Sequence, residues 1–158
     1  RRLTIMAVED VGLADPRALE MAINVWNAYD RIGAPEGDIA LSNLVIYLAS
    51  TAKSNASYMA LAAARADVAE LGTQPVPMHL RNAPSRLMKS LGYGKGYQYD
   101  HDVEGGIALD QTAFPDDMGE RVYYTPVERG LEIKLKDKLD RLRVARSQAR
   151  AGRGEPGT

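Results

Sequence analysis

Tyrosine, lysine and glycine alternate over residues 92–99, a composition that could support phosphate or nucleic-acid chemistry. Gly92–Gly96 superficially resembles a phosphate-binding loop. However, its glycines lack the spacing of that motif, and Gly96 stands where a Ser or Thr would hold magnesium. A flexible turn is the better interpretation, and the sequence predicts no nucleotide site here.

The same loop offers rings and a cation that could contact single-stranded nucleic acid. The candidate contacts are Tyr93, Lys95, Tyr97 and Tyr99. Aromatic rings can stack on bases while lysine meets phosphate. Acidic side chains at positions 100, 102 and 104 follow directly and would repel phosphate. Ordinary packing of the rings is therefore the favoured interpretation, with base stacking as the alternative.

The chain has two histidines, His79 and His101, and no cysteine. The absence of cysteine excludes disulfides, thiol catalysis and cysteine-ligated metal centres. A zinc site needs several ligands that converge in space, and the two histidines have no tight spacing. No nucleophile is paired with a base, so the sequence predicts neither a catalytic residue nor a metal site.

A segment without simple periodicity, Val76–Pro84, combines rigid, polar and apolar residues. Its polar side chains are His79, Arg81 and Asn82. They could bond to backbone groups of a buried connector, whose polar atoms must be satisfied. The alternative is a contact surface for a partner chain or domain.

Helix signals surround these loops. Asp15-Pro16 can cap and open a helix that Gly33 ends, and Pro35 can open the next. The two apolar stripes are Leu19, Ala22, Ile23, Trp26 and Tyr29, then Leu41, Leu44, Val45 and Leu48. The sequence thus predicts two amphipathic helices in succession.

A third helix, to about residue 71, follows Lys53-Ser54-Asn55, where Ser54 or Asn55 can cap it. It is rich in alanine, so we expect tight packing against neighbouring helices. A short helix is predicted around residues 84–91, and Thr125–Glu128 forms a capping box that would begin the last helix. Tyr97–Tyr99 and Val122–Tyr124 could pair as a small β-ribbon.

The 158 residues fit one ordinary domain, and the net charge of -1 gives no global case for a nucleic-acid or membrane binder. Residues 1–128 carry a balance of -6 and residues 129–158 a balance of +5. No apolar run approaches the roughly 20 residues of a membrane span.

We predict a helical domain over residues 1–146 and a disordered tail over 147–158. Because residue 1 is Arg and already looks helical, we expect a piece of a longer protein.

Four motifs, in register, resemble the C-terminal domain of the RarA/MgsA family. These are AAA+ ATPases, the replication-associated recombination proteins, related to the Werner-helicase-interacting protein. The motifs are Val8–Leu19; Lys53–Ala56; Val76-Pro77 with His79–Pro84, Leu87–Lys89, Leu91–Gly94, Tyr97, Tyr99, His101 and Asp102; and Phe114-Pro115 with Tyr123-Tyr124 and Arg129–Glu132. The resemblance runs from about residue 3 to about residue 142.

The resemblance implies a mainly α, bundle-like collar domain that holds subunits together as a homotetramer. ATP and magnesium would belong to an N-terminal ATPase module absent from this sequence, so this chain would not itself be an enzyme. The intact protein would act in DNA replication, recombination and repair, in the nucleoid-associated cytoplasm, with DNA and single-stranded-DNA-binding protein as partners. The alternative is a DNA- or partner-binding module that uses the Tyr93–Tyr99 loop and the basic C-terminal end.

Overall fold

The computed structural model describes residues 1–151, and these contain helices joined by loops and turns, with no strand. The α-helices are α1 (Arg2–Met6), α2 (Arg17–Ile32), α3 (Glu36–Ser50), α4 (Ala56–Leu71), α5 (Arg86–Ser90) and α6 (Glu132–Ala151). A π-helical turn, Ala7–Val11, and 3-10 turns at Gly12–Ala14, Met78–Leu80 and Asp100–Asp102 complete the secondary structure of this part. The predicted mainly helical class is confirmed.

The chain divides into two compact units. The first unit is Arg1–Arg65 with Tyr123–Lys138, and the second is Ala66–Val122 with the residues from Leu139 onward. The predicted domain boundary at residue 146 lies within α6, which continues to Ala151. Residues 152–158 of the predicted tail lie outside the described residues, so that part stays a prediction.

The core of the first unit lies where α2 packs on α3 and on the π-helical turn. Its buried members are Ala7, Val11, Ala18, Ala22, Val25, Leu44 and Leu48. Small side chains on α2 let the backbone of α3 approach closely, because the distance between helices depends on the side chains at the contact. The two leucines of α3 fill the space that the alanines leave.

The predicted ends of these helices are present. The Asp15 carboxylate accepts the backbone N–H of Arg17 at 3.3 Å, and Gly33 ends α2 with a φ of 65°. The Ser54 hydroxyl oxygen accepts the backbone N–H of Ala56 at 3.1 Å at the start of α4. Side-chain acceptors therefore satisfy amide groups that the first helical turn leaves unpaired.

The face of α2 that packs in the core carries small side chains, and the face with its largest apolar side chains is exposed. Ala18, Ala22 and Val25 are buried, whereas Leu19, Ile23 and Trp26 of the predicted stripe are exposed. The close approach to α3 selects the small residues for the core and leaves the large ones on the surface.

The expectation that α4 is tightly packed is wrong for this chain by itself. Among its residues only Ala56 is buried. Tyr58, Leu61 and Val68 are more than half exposed. Alanine permits close packing but does not determine which helix, if any, lies opposite.

The predicted start of the last helix is also wrong. α6 begins at Glu132 and not at the capping box of residues 125–128. Gly130 has a φ of 54°, and the N–H of Leu131 donates to the carbonyl of Ala14 at 2.8 Å. This tertiary hydrogen bond holds the chain away from helical geometry until Glu132.

The possible β-ribbon is not formed in the described residues. The N–H of Gln98 donates to the side-chain oxygen of Gln111 at 2.9 Å, and the Gln111 amide donates to the carbonyl of Gln98 at 3.3 Å. A single side chain thus satisfies the backbone groups that a partner strand would need.

Ion pairs hold the long loop of the second unit. Arg121 pairs with Asp67 of α4 at 3.2 Å, and Glu120 pairs with Arg150 of α6. α6 continues past Arg143 and through this ion pair to Ala151.

Candidate functional site

The glycines of the Tyr93–Tyr99 loop serve its backbone conformation. Gly92, Gly94 and Gly96 all have positive φ, at 86°, 72° and 81°. The N–H of Tyr93 donates to the carbonyl of Met88 at 3.1 Å, and that of Gly94 to the carbonyl of Met78 at 2.9 Å. Since those N–H groups already have acceptors within the chain, the loop has the character of a structured turn.

The aromatic rings of this loop differ in how far they are exposed to solvent. The Arg81 guanidinium lies 5.3 Å from the centre of the Tyr93 ring, a cation–π contact that holds this half-buried ring in place. Tyr97 and Tyr99 are more than half exposed, and Lys95 is exposed between them and Tyr93. The structure therefore leaves two of the three candidate rings accessible on the loop surface.

The connector Val76–Pro84 uses its polar side chains within the second unit. The Nε2 atom of His79 lies 2.9 Å from the carbonyl oxygen of Thr112, and Arg81 Nε donates to the carbonyl of Val76 at 2.6 Å. Asn82 is exposed. His79 and Arg81 thus fix local backbone, and a contact with a partner at this segment stays a prediction.

Lys53, Ser54 and Asn55 form the junction between α3 and α4. The Lys53 ammonium donates to the carbonyls of residues 48, 49 and 51, at 3.0, 3.3 and 3.2 Å, at the end of α3. The N–H of Ser54 donates to the carbonyl of Asp10 at 2.8 Å, and the carbonyl of Asn55 accepts the N–H of Met59 at 3.0 Å. This motif therefore connects two helices and the π-helical turn.

A polar cluster around Asp15 brings together residues that are distant in the sequence. The Asp15 carboxylate is 7% exposed and accepts hydrogen bonds from Arg17 Nε at 2.9 Å, from Thr51 Oγ1 at 2.9 Å and from the Tyr47 hydroxyl. Hydrogen bonds from Arg17 above all hold the pKa of Asp15 well below its usual range, against the opposing effect of burial. Asp15 is therefore a structural anion and not a general base.

A second buried carboxylate, Glu132, was also not predicted. It is fully buried, and its Oε2 atom accepts the N–H of Val127 at 2.7 Å. Burial, and then the charge of Glu132, raise the pKa of the Tyr124 hydroxyl to about 12. In a capping box, the glutamate at the third helical position accepts a backbone N–H, so the sequence pointed to Glu128 for this role. In the structure the acceptor is Glu132, four residues later.

Two kinds of site are absent from the part of the chain that the structure describes. No three His, Asp or Glu side chains come close enough together to hold a metal ion. No helix there combines the length and the apolar composition required to cross a bilayer. The described geometry thus presents structural clusters and exposed surfaces.

Comparisons with known proteins give one consistent result. The family model described as MgsA AAA+ ATPase C terminal matches residues 1–143. Replication-associated recombination protein A of Coxiella burnetii is 49% identical over 148 residues, which are 94% of this chain and 34% of that protein. The protein of the same name from Escherichia coli K12 is 47% identical over 139 residues, 88% of this chain and 31% of that protein.

A more distant similarity extends to a eukaryote. The Dictyostelium discoideum protein named ATPase WRNIP1 is 39% identical over 124 residues, which are 78% of this chain and 14% of that protein. The chain spans about a third of the length of the two bacterial relatives.

Proposed function

This chain belongs to the MgsA AAA+ ATPase C-terminal family, as the C-terminal domain of a replication-associated recombination protein, and we propose that it holds the subunits of that ATPase together. The assembly is a homotetramer. The domain contributes packing surfaces and takes no part in the chemistry of ATP hydrolysis.

The exposure of α4 is the observation that carries this proposal. Tyr58, Leu61 and Val68 are 55%, 51% and 68% exposed on a 16-residue helix that buries only Ala56. Exposed apolar patches of this kind commonly mark protein–protein contacts. Interleaved alanines allow a second helix to approach closely, which suits contact between copies of the chain.

Light scattering tests the assembly. Multi-angle light scattering of the chain across about a hundredfold dilution should give a mass well above the 17.2 kDa of one copy at the high end, since association depends on concentration. A mass that stays at one copy throughout would overturn the proposal.

A substitution on α4 tests the surface. Ala62→Asp places a charge on the exposed face of α4 and should lower the mass without lowering helical content. The same substitution at Ala151, exposed at the end of α6, serves as the matched control and should leave the mass unchanged. If both variants assemble like the parent chain, α4 is not the contact surface.

The remaining roles belong to the whole protein and are part of the same proposal. An N-terminal ATPase module binds ATP and magnesium and is the first partner of this domain. The intact protein acts on DNA in replication, recombination and repair, with single-stranded-DNA-binding protein as a partner, in the nucleoid-associated cytoplasm. The names of the bacterial relatives support the replication and recombination roles.

A second candidate function is nucleic-acid binding by the Tyr93–Tyr99 loop and the basic end. The exposure of Tyr97 and Tyr99 favours it. The basic end supports it less, because Arg143 pairs with Asp140 at 3.1 Å and Arg150 pairs with Glu120. Fluorescence anisotropy of a labelled single-stranded oligonucleotide should show salt-sensitive binding that Tyr97→Ala weakens. Equal anisotropy with and without protein would exclude this candidate.

A further inference from the structure

α5 leaves every one of its residues exposed to solvent. Leu87 and Met88 are 68% and 37% exposed, and Leu91, directly after the helix, is 57% exposed. Most helical stability in proteins comes from an apolar face that packs against the rest of the fold. The apolar side chains of α5 have no such cover within the described residues, and exposed patches of this kind mark contacts with other molecules.

Hydrogen bonds, and not burial, hold α5 in its helical form. The Ser85 hydroxyl accepts the N–H of Met88 at 3.2 Å at the start of the helix, and the N–H of Gly92 donates to the carbonyl of Lys89 at 3.0 Å at its end. The N–H of Tyr93, in the turn that follows, donates to the carbonyl of Met88 at 3.1 Å. The backbone is therefore fixed before any partner arrives, which reduces the entropy lost on binding.

Positive charge surrounds these apolar side chains. Residues 71–99 contain four Arg and Lys and no Asp or Glu, although the whole chain has 21 acidic residues. Arg86, Lys89 and Lys95 are exposed, and no carboxylate among the described residues pairs with them. The net charge of -1 thus conceals a local positive surface within the second unit, and that surface attracts acidic groups.

Side chains of two kinds form what we call the α5 surface: Leu87, Met88 and Leu91, with Arg86, Lys89 and Lys95. Leu87 and Leu91 are four residues apart, so they share one side of the helix, and Met88 adjoins that side. Arg86 and Lys89 are three residues apart and share the neighbouring side. A molecule that covers the α5 surface must therefore present apolar and acidic groups next to each other.

A protein segment matches the α5 surface better than a nucleic acid does. Single-stranded nucleic acids bind where basic side chains accompany aromatic rings on which the bases stack. The side chains beside the cations of α5 are aliphatic, so a phosphate backbone would meet apolar groups that gain nothing from it. A peptide with Asp or Glu beside Leu, Ile or Phe can pair its carboxylates with the cations and bury its apolar side chains on the leucines.

We propose that the α5 surface binds a short acidic segment with apolar side chains, supplied by a partner protein. The carboxylates of that segment contact Arg86, Lys89 and Lys95, and its apolar side chains cover Leu87 and Leu91. This recognition role is additional to the assembly role proposed for α4 and does not depend on it.

Fluorescence anisotropy with three sets of labelled peptides tests the recognition. The first set combines Glu with Leu, Ile or Phe in varied order, the second has Ser at every apolar position, and the third has Lys at every Glu position. The chain of residues 1–158 should bind members of the first set alone, and more weakly as the salt concentration rises. The proposal is overturned if no member of the first set binds, or if either other set binds as well as the first.

Substitutions in the chain locate the contact. Arg86→Glu combined with Lys89→Glu should weaken binding of the first set about tenfold or more, because attractive charge contacts become repulsive. Leu87→Ser should weaken it about tenfold, because apolar burial is lost. Arg31→Glu and Ile39→Ser, at exposed positions on helices of the first unit, are the matched controls and should bind like the parent. Circular dichroism should stay that of the parent throughout, since all these side chains are exposed.

The same variants distinguish this partner from other occupants of the α5 surface. Peptide binding that survives Leu87→Ser and the double charge reversal would place the contact elsewhere. A lower light-scattering mass of these variants without peptide would make the surface a contact between copies, and loss of binding to a single-stranded oligonucleotide, with no peptide bound by the parent, would assign it to nucleic acid. Each of these results overturns the proposal. Ala62→Asp should still bind the first peptide set, which separates this test from that of assembly.

Discussion

Asp15 shows how one residue can have a predictable local role and an unpredictable tertiary one. Its place before Pro16 identifies it as a helix cap, and the bond to the Arg17 amide agrees. Its bonds to Tyr47 and Thr51 come from α3 and the residue after it, more than thirty positions away. Only the packing of α2 on α3 brings these groups together, so no local sequence pattern predicts the cluster.

The Asp15 cluster makes stability depend on pH in acid. The pKa of Asp15 lies below its usual value in the folded chain and near 3.9 in the unfolded chain. Its contribution is therefore present above about pH 4 and is lost as the pH falls further, because the unfolded chain binds the proton first. Urea unfolding at a series of pH values should show this loss.

Asp15→Asn tests the same cluster. It should lower the free energy of unfolding at pH 7 by about 1–3 kcal/mol, since the hydrogen bonds to a charged acceptor weaken. The acid-dependent loss should also become smaller. Asp116→Asn, on an exposed loop, is the control and should change neither quantity much. An unaltered pH profile for Asp15→Asn would contradict this account.

At the scale of elements, caps and breaks were predictable and partners were not. Gly33, Pro35 and Ser54 mark helix ends by local chemistry, and the structure agrees at all three. The prediction that α6 begins at the capping box was wrong, because a long-range hydrogen bond from the N–H of Leu131 to the carbonyl of Ala14 overrides that local signal. The prediction that Leu19, Ile23 and Trp26 face the core was wrong, because periodicity identifies the apolar faces of a helix but not which of them a neighbour covers.

Gly130 allows the segment before α6 to lie close to Ala14 within the first unit. A Cβ atom there would lie 2.1 Å from the Ala14 carbonyl oxygen, and its φ of 54° disfavours other residues. Gly130→Ala should therefore cost about 2–3 kcal/mol of unfolding free energy. Gly96→Ala also has positive φ but open space around it, so it should cost only about 1 kcal/mol. Equal losses in chemical denaturation would show that the close approach does not matter.

At the scale of the whole molecule, the family was readable from ordered motifs, while the candidate site was only partly so. Lys53, Ser54, His79 and Arg81 are candidates from the sequence, and each makes a hydrogen bond to a backbone group; a contact role for them stays a prediction. The surfaces that the proposals use, on α4 and α5, emerged only when burial was known. Exposure depends on the three-dimensional packing of all elements, which no local pattern contains.

We expect the chain of residues 1–158 to bind no ATP. The loop that resembles a phosphate site has its Tyr93 and Gly94 N–H groups engaged with carbonyls at 3.1 and 2.9 Å, so they are not directed at a ligand. Filter binding with labelled ATP and magnesium should give the signal of buffer, with an active ATPase as the positive control. Saturable binding at micromolar ATP would contradict this expectation.

The ammonium of Lys53 has a consequence for covalent modification. Lys53 as a whole is exposed to solvent, yet its ammonium donates hydrogen bonds to three carbonyls at the end of α3. Acetylation would remove its charge and leave a single N–H donor, so at most one of those carbonyls would keep a strong bond. The favourable interaction with the negative end of the helix dipole would also disappear. An acetyl group at this position would therefore loosen the junction of α3 and α4 from within, without touching the exposed face of α4.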